Sequence, residues 1–521
     1  MPARRRFIAL KPVSSLLFPD AGKPLYTARI AVFPKDKFFQ EIILPKHILL
    51  RLLCLLPAAL PALAQAATTS CRIPDFPQEV RCGRIQRPLN PAQPDGKKID
   101  IHYVVLPSQD RNKLQDAVFL LAGGPGQSAI KVAGWGQTAL SRLNRRRDLV
   151  FVDQRGTGRS APLQCPGLEN SAEVLTQEQN DKLSAACLQD LQRLPYGDLR
   201  YFTTSISVQD LEAVRLQEGY GKINLVGASY GTRAGLEYLR QYPQAVRRLV
   251  LDGVVPPSMR LPAADAQKAL LALFADCASQ PACNKLYPDL ARRWKSLQAG
   301  LPRKIELLHP RLGQPLKLEM TRDILLGLVH KTLYVPANVA ALPYALTQAG
   351  QGNYAALLTL SGATVLPGPA GIAYGMHFSV WCAEAYARPD SGQHKDEFES
   401  MMSDMYARTC RQWPRGEVPA AFFDIPRSAS PVLLLSGGID PVTPTRHGAA
   451  VAQALGPQAR HISVENAGHG LLMHGCVRDV VYRYLNAKED SEAQKVDAAC
   501  VRQIPRPLAW QAYVAGKEGQ P

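Results

Sequence analysis

Apolar and polar positions follow two rhythms along this 521-residue chain. Short apolar runs rich in β-branched side chains predict strands at Glu79 to Arg87, Ile99 to Leu106, Ala117 to Leu121, Asp148 to Val152, Ile223 to Val226, Val246 to Asp252, Pro431 to Leu435 and Arg460 to Val464. The first two flank a Pro-Asp-Gly turn and should pair antiparallel. Between later runs the period lengthens. Val208 to Gln217 reads as a helix, with Ser207 as its N-cap and Asp210 and Glu212 in the first turn. From Gly235 onward a second helix puts Leu236, Leu239 and Tyr242 on one face. Strands alternating with helices predict an α/β fold, a mostly parallel sheet with helices on both faces.

The rhythm breaks at Pro256-Pro257. Residues 258–425 read as helices: Ala263 to Ala278 with Leu270, Leu271, Phe274 and Cys277 on one face, Tyr287 to Leu301 with Leu290, Trp294 and Leu297, then Leu325 to Leu333 and Tyr354 to Leu360. A helical block inserted between strands of a parallel sheet predicts a lid over the end where such sheets bind ligands. The expected organisation is an N-terminal extension and signal peptide (1–66), a first core part (67–257), the lid (258–425) and a second core part (426–521).

Composition adds a location. The long apolar stretch His47 to Ala66 has Lys46 and Arg51 at its start, Pro57 and Pro61 inside and Ala64-Gln-Ala66 at its end, which predicts a secretory signal cleaved after Ala66 and no stable membrane span afterwards. Residues 1–45 are unusual ahead of such a signal, and translation is expected to start near Leu44. The net charge is +17; the first 66 residues hold ten Lys/Arg and three Asp/Glu, so the rest carries +10. No basic-aromatic module or zinc-finger spacing accompanies that charge, which excludes a nucleic-acid partner, and Arg145 to Arg147 reads as a solvated helix end. Ten cysteines remain once Cys54 leaves with the signal. An even number in an exported chain predicts disulfides between sequence neighbours such as Cys71 with Cys82, although spacing alone does not fix the connectivity.

The chemistry centres on Gly227-Ala-Ser229-Tyr-Gly231, a G-x-S-x-G pattern between strand and helix. A serine on that tight turn is strained and lifted above the sheet, and the Tyr230 N–H points where an oxyanion would form. The loop Ala122-Gly123-Gly124-Pro125-Gly126 leaves another strand end and offers a second N–H; it lacks the Lys-Ser/Thr of a phosphate loop. Asp440, after one late strand, and His469, after the last, complete a hydroxyl, imidazole and carboxylate set: the hydroxyl needs a base, and the base needs a carboxylate to fix its tautomer. His447, His461 and His474 are weaker bases by position, as are Asp424 and Asp479 for the acid. Asp153 and Arg155, in a Gly-rich loop, read as a buried ion pair. No histidine spacing fits a metal, and no cofactor is implied.

Together Gly123-Gly-Pro-Gly126, Asp153-Gln-Arg-Gly-Thr-Gly-Arg-Ser160, Gly227-Ala-Ser-Tyr-Gly-Thr232, Val250-Leu-Asp-Gly253, Gly438-Ile-Asp-Pro-Val-Thr-Pro444 and Gly468-His-Gly470 resemble the proline iminopeptidase and tripeptidyl aminopeptidase family of α/β-hydrolase serine peptidases. The resemblance spans roughly residues 75 to 505, and Cys476 and Cys500 look like the pair of its exported branch. One departure is Ala122, where small iminopeptidases usually carry histidine. The resemblance implies an α/β-hydrolase fold, Ser229, Asp440 and His469 as triad, Gly124 and Tyr230 as oxyanion donors, and peptide substrates with a free N-terminus. It also implies a lid carboxylate for that amine, for which Glu384 in Ser379-Val-Trp-Cys-Ala-Glu384 is the candidate. The expected activity is an exported serine aminopeptidase, periplasmic or secreted. A carboxylesterase is the alternative, and a non-catalytic binding protein is disfavoured by the complete triad.

Overall fold

The computed structural model describes residues 68–511 except 75, 77, 170–174, 261, 310–312, 363–370 and 387–395. The expected signal segment and Cys54 lie outside the described residues. Strands β1 (Thr68–Cys71), β2 (Val80–Pro88), β3 (Lys98–Leu106), β4 (Val118–Leu121), β5 (Leu149–Val152), β6 (Ile223–Ala228), β7 (Val246–Asp252), β10 (Val432–Gly437) and β11 (Ala459–Val464) form one sheet in the order β1-β2-β3-β5-β4-β6-β7-β10-β11. Pairing is antiparallel from β1 to β5 and parallel from β5 through β4, β6, β7 and β10 to β11.

The period-two alternation of the central strands divides their side chains between two cores. Phe119, Leu225, Leu249, Leu251 and Leu434 enter one, and Leu120, Val226, Val250, Leu433 and Leu435 the other. Because both faces are covered, the middles of these strands read as near-continuous apolar runs, as in buried parallel sheets, with polar residues such as Asn224, Arg247 and Arg248 near the strand starts. Leu225 and Leu251 are fully buried, and each such side chain contributes roughly 2–3 kcal/mol through burial.

Between β7 and β10 a third core gathers Leu270, Phe274, Trp294, Leu325 and Leu342. The helices here include Ala266–Ser279, Leu290–Ala299, Arg322–Leu333, Tyr374–Glu384 and Glu397–Gln412. This block is not all helix: β8 (Arg303–Leu308) and β9 (Pro315–Met320) pair as an antiparallel hairpin. Leu271, expected on the buried face, is exposed; Leu273 is buried in its stead.

Three further expectations are corrected. The helix expected from Val208 spans Thr204–Gln217, and its Thr204 N–H is bound by the Glu384 carboxylate at 2.8 Å, so a remote acid, not Ser207, satisfies its first turn. Arg147 is buried, bonding Asp116 at 3.0 Å and Asn486 at 2.9 Å, because charged side chains leave water only with partners. Asp153 and Arg155 are both buried but not with each other: Arg155 forks onto Asp210 at 2.7 and 2.9 Å, whereas Asp153 accepts the Ser128 hydroxyl and the Ile130 and Arg159 N–H groups. All five neighbouring cysteine pairs are disulfides: 71–82, 165–187, 277–283, 382–410 and 476–500.

Candidate active site

Four parallel strands deliver their C-terminal loops to one rim. At the end of β6, Ser229 adopts φ 55° and ψ −123°, and the helix Tyr230–Gln241 begins at once, earlier than its sequence periodicity shows. A non-glycine residue with such a φ carries strain of order 1–3 kcal/mol. The surroundings over-determine it. The Ser229 N–H donates to the Asp252 carbonyl at 2.8 Å, and its own carbonyl accepts the Thr232 N–H and hydroxyl at 2.8 and 2.6 Å. Neither flanking glycine admits a side chain: a Cβ on Gly227 would lie 2.4 Å from the Gly231 carbonyl oxygen, and one on Gly231 2.0 Å from that of Leu121.

The Gly-rich loop after β4 passes beside this turn, where a Cβ on Gly123 would come 3.3 Å from the Ser229 Cβ. Gly124 has φ 110° and precedes a cis Gly124-Pro125 bond. Tyr230 opens its helix, so its N–H has no acceptor within that helix.

From the loops after β10 and β11, Asp440 and His469 meet. Asp440 Oδ2 lies 2.9 Å from His469 Nδ1 and accepts the Thr443 hydroxyl at 2.6 Å, while Oδ1 accepts the Val442 and Thr443 N–H groups. Burial alone would raise the Asp440 pKa, but the His469 charge and these hydrogen bonds outweigh it and hold the carboxyl below its ordinary value. For His469 burial pulls the other way, and the charge and hydrogen bond of Asp440, with the charge of Asp252, lift the ring above its ordinary 6.5. The backbone N–H of His469 donates to the Tyr334 carbonyl at 3.1 Å, and the Tyr334 ring stands edge-on to the imidazole at 5.2 Å. A Cβ on Gly253 would lie 3.3 Å from its Cε1, next to the Asp252 that holds Ser229. The Ser229 hydroxyl and the ring are not hydrogen-bonded to each other in this structure; such contacts commonly tighten only with substrate.

The other candidates lie elsewhere. His447 Nε2 is 3.3 Å from Asp265, and His461 on β11 has its Nε2 3.0 Å from Ser436 Oγ on the neighbouring β10. His474 precedes the helix Val477–Asn486 and is not in it. Asp479 pairs with Arg142, and Asp424 is exposed. Glu384, expected to meet a substrate amine, is fully buried with both oxygens engaged, one by Thr204 N–H and the other by Arg233 at 3.3 Å. Asp252 stands in a quoted motif without an expected role, yet it accepts the Leu471 and Leu472 N–H groups just after His469. Among the described residues no three His, Cys, Asp or Glu side chains cluster to hold a metal ion.

A strained serine at a strand-to-helix turn, with a carboxylate-bound imidazole on later strands of one sheet, defines a class. Residues 116–475 match the alpha/beta hydrolase fold family, and the chain belongs to it. It is similar to the serine protease Hip1 of Mycobacterium tuberculosis (strain ATCC 25618 / H37Rv), 25% identical over 454 residues covering 79% of this chain and 86% of that protein. It is similar also to the tripeptidyl aminopeptidase of Streptomyces lividans, 30% identical over 208 residues covering 35% and 37% of the two. Carboxylesterase B of Mycobacterium tuberculosis (strain CDC 1551 / Oshkosh) is 26% identical over 478 residues, 82% of this chain and 89% of that protein. The first two of these, named as peptidases, agree with the resemblance carried by the motifs.

Proposed function

We propose that this protein is an exported serine aminopeptidase acting through Ser229, His469 and Asp440. The carrying observation is the 2.9 Å Asp440–His469 contact on the rim that holds the strained Ser229 turn. Asp440 keeps the proton on Nδ1, so Nε2 is free to accept one. Ser229 Oγ attacks the carbonyl carbon of the scissile peptide bond as His469 takes the hydroxyl proton. The Tyr230 and Gly124 N–H groups stabilise the oxyanion. Collapse breaks the C–N bond, His469 hands its proton to the departing amine, and an acyl-enzyme remains. Water, deprotonated by His469, then releases the N-terminal fragment and restores the serine.

Peptide substrates follow from the relatives named serine protease and tripeptidyl aminopeptidase. The block between β7 and β10, residues 258–425, serves as the lid. Export is supported by five disulfides and by the signal-like segment; no helix among the described residues is long and apolar enough to cross a membrane. A relative named carboxylesterase B keeps an esterase as the second reading.

A panel of peptide amides with free and N-acetylated ends, beside simple esters, separates the two. An aminopeptidase cleaves only the free series. Equal turnover of the acetylated series, or full turnover by Ser229→Ala, overturns the respective part of the reading.

A further inference from the structure

The Gly-rich loop is held by the lid as well as by the sheet. Ala373 N–H donates to the Gly126 carbonyl at 2.9 Å, and Gln127 and Ile372 form an antiparallel bridge. The approach is close enough that a Cβ on Gly126 would sit 2.6 Å from the Ala373 carbonyl oxygen. One turn further, His377 Nδ1 lies 3.1 Å from the Pro125 carbonyl oxygen, and Nε2 lies 2.8 Å from the Tyr406 hydroxyl.

These partners fix the ring's protonation. A carbonyl only accepts, so Nδ1 carries the hydrogen; Nε2 is then the acceptor, and Tyr406 donates to it. Burial lowers the His377 pKa to about 4 against the opposing pull of the Pro125 carbonyl, which keeps the ring neutral near pH 7. Burial also raises the Tyr406 hydroxyl well above its ordinary value, which keeps it a donor. The ring stacks on Tyr406, with centroids 5.9 Å apart at 26°, and meets Phe378 edge-on.

We infer that His377 is a positioning residue for the oxyanion site: through Nδ1–H it orients the Pro125 peptide and with it the Gly124 N–H, and Tyr406 sets the tautomer that makes this possible. The inference rests on the serine-peptidase reading above. Mispositioning by a fraction of an ångström weakens a bond made only to the tetrahedral state, so the loss appears in kcat and not in KM.

Two amides dissect the ring. Asparagine places its amide nitrogen near Nδ1 and keeps the donor to Pro125; glutamine places it near Nε2 and loses that donor. With a free-amine peptide amide as substrate, His377→Gln and His377→Phe should lose roughly 10- to 100-fold in kcat, less than the 10²–10³ tied to a whole oxyanion donor, with KM within about twofold. His377→Asn should recover most of that loss, and Tyr406→Phe should fall between. Affinity for a peptide boronic acid, which presents a tetrahedral oxyanion, should drop in step with kcat.

Full kcat in the Gln variant, or equal losses in Asn and Gln with a matching rise in KM, overturns the assignment. If the Phe variant fails to fold, the Asn and Gln pair decides alone. Ser229→Ala run alongside separates the two claims: an active Ser229→Ala removes the serine reading, whereas an inert one beside a fully active His377→Gln removes only the role of His377.

Discussion

The Asp252 carboxylate receives the Leu471 N–H on both oxygens at 2.8 Å, and its own carbonyl receives the Ser229 N–H at the same distance. One residue therefore ties the serine turn to the histidine loop. Burial raises its pKa to about 6, against the N–H groups of Leu471 and Leu472 that favour the charged form. The native state thus keeps this proton more tightly than the unfolded chain, and the stability it contributes falls as pH rises from about 4 through about 6.

Asp252→Asn retains an oxygen for the two N–H groups and removes the charge. Thermal unfolding should show the variant gaining on the wild type between pH 5 and pH 7.5, while the acid limb of kcat/KM moves to lower pH because His469 loses one of its two supporting charges. Asp252→Ala, with no acceptor left, should lose roughly 1–3 kcal/mol for each unsatisfied group. A wild-type pH profile in Asp252→Asn counts against this electrostatic support.

In the proposed mechanism His469 acts as a base, which requires the neutral ring. Since Asp440 and Asp252 hold its pKa above 6.5 despite burial, kcat/KM should rise with pH to a midpoint above 6.5. Asp440→Asn leaves burial dominant, so the midpoint should drop below that value and the rate should fall by about 10⁴, as a wrong imidazole tautomer does elsewhere. A midpoint that stays put on this substitution removes Asp440 from its role.

Glu384 caps the helix Thr204–Gln217 and pairs with Arg233, whose guanidinium lies 4.9 Å over the Trp381 ring. An amine contact would require Arg233 to release it. Glu384→Gln keeps an acceptor for Thr204 but leaves the Arg233 charge buried without its countercharge, which should cost about 3–5 kcal/mol. Turnover of a free-amine peptide amide and of a simple ester should then fall to the same degree. A rise in KM confined to the free-amine series would instead restore the substrate role.

The geometry of the rim was legible because it is local. G-x-S-x-G between a strand and a helix, and Asp440 and His469 each just past a strand, need only nearest neighbours to be recognised, and β7 falls on its expected residues. Long-range partners were not legible. Arg155 meets Asp210, Thr204 meets Glu384 and His377 meets Pro125 across wide sequence separations, and no local pattern announces such pairs. The β8–β9 hairpin did alternate, in Pro315-Leu-Lys-Leu-Glu-Met320, but a short alternating run inside a helical block carries little weight against its surroundings.

Among the described residues the disulfides join neighbouring cysteines along the chain two by two, over separations of 6 to 28 residues. A polypeptide threaded N-terminus first into an oxidising compartment presents these thiols in that same order. If the chain is exported as proposed and Cys54 leaves with the signal segment, pairing each newly arrived thiol with the one before it yields the native set, so an oxidant working during translocation would suffice without later reshuffling.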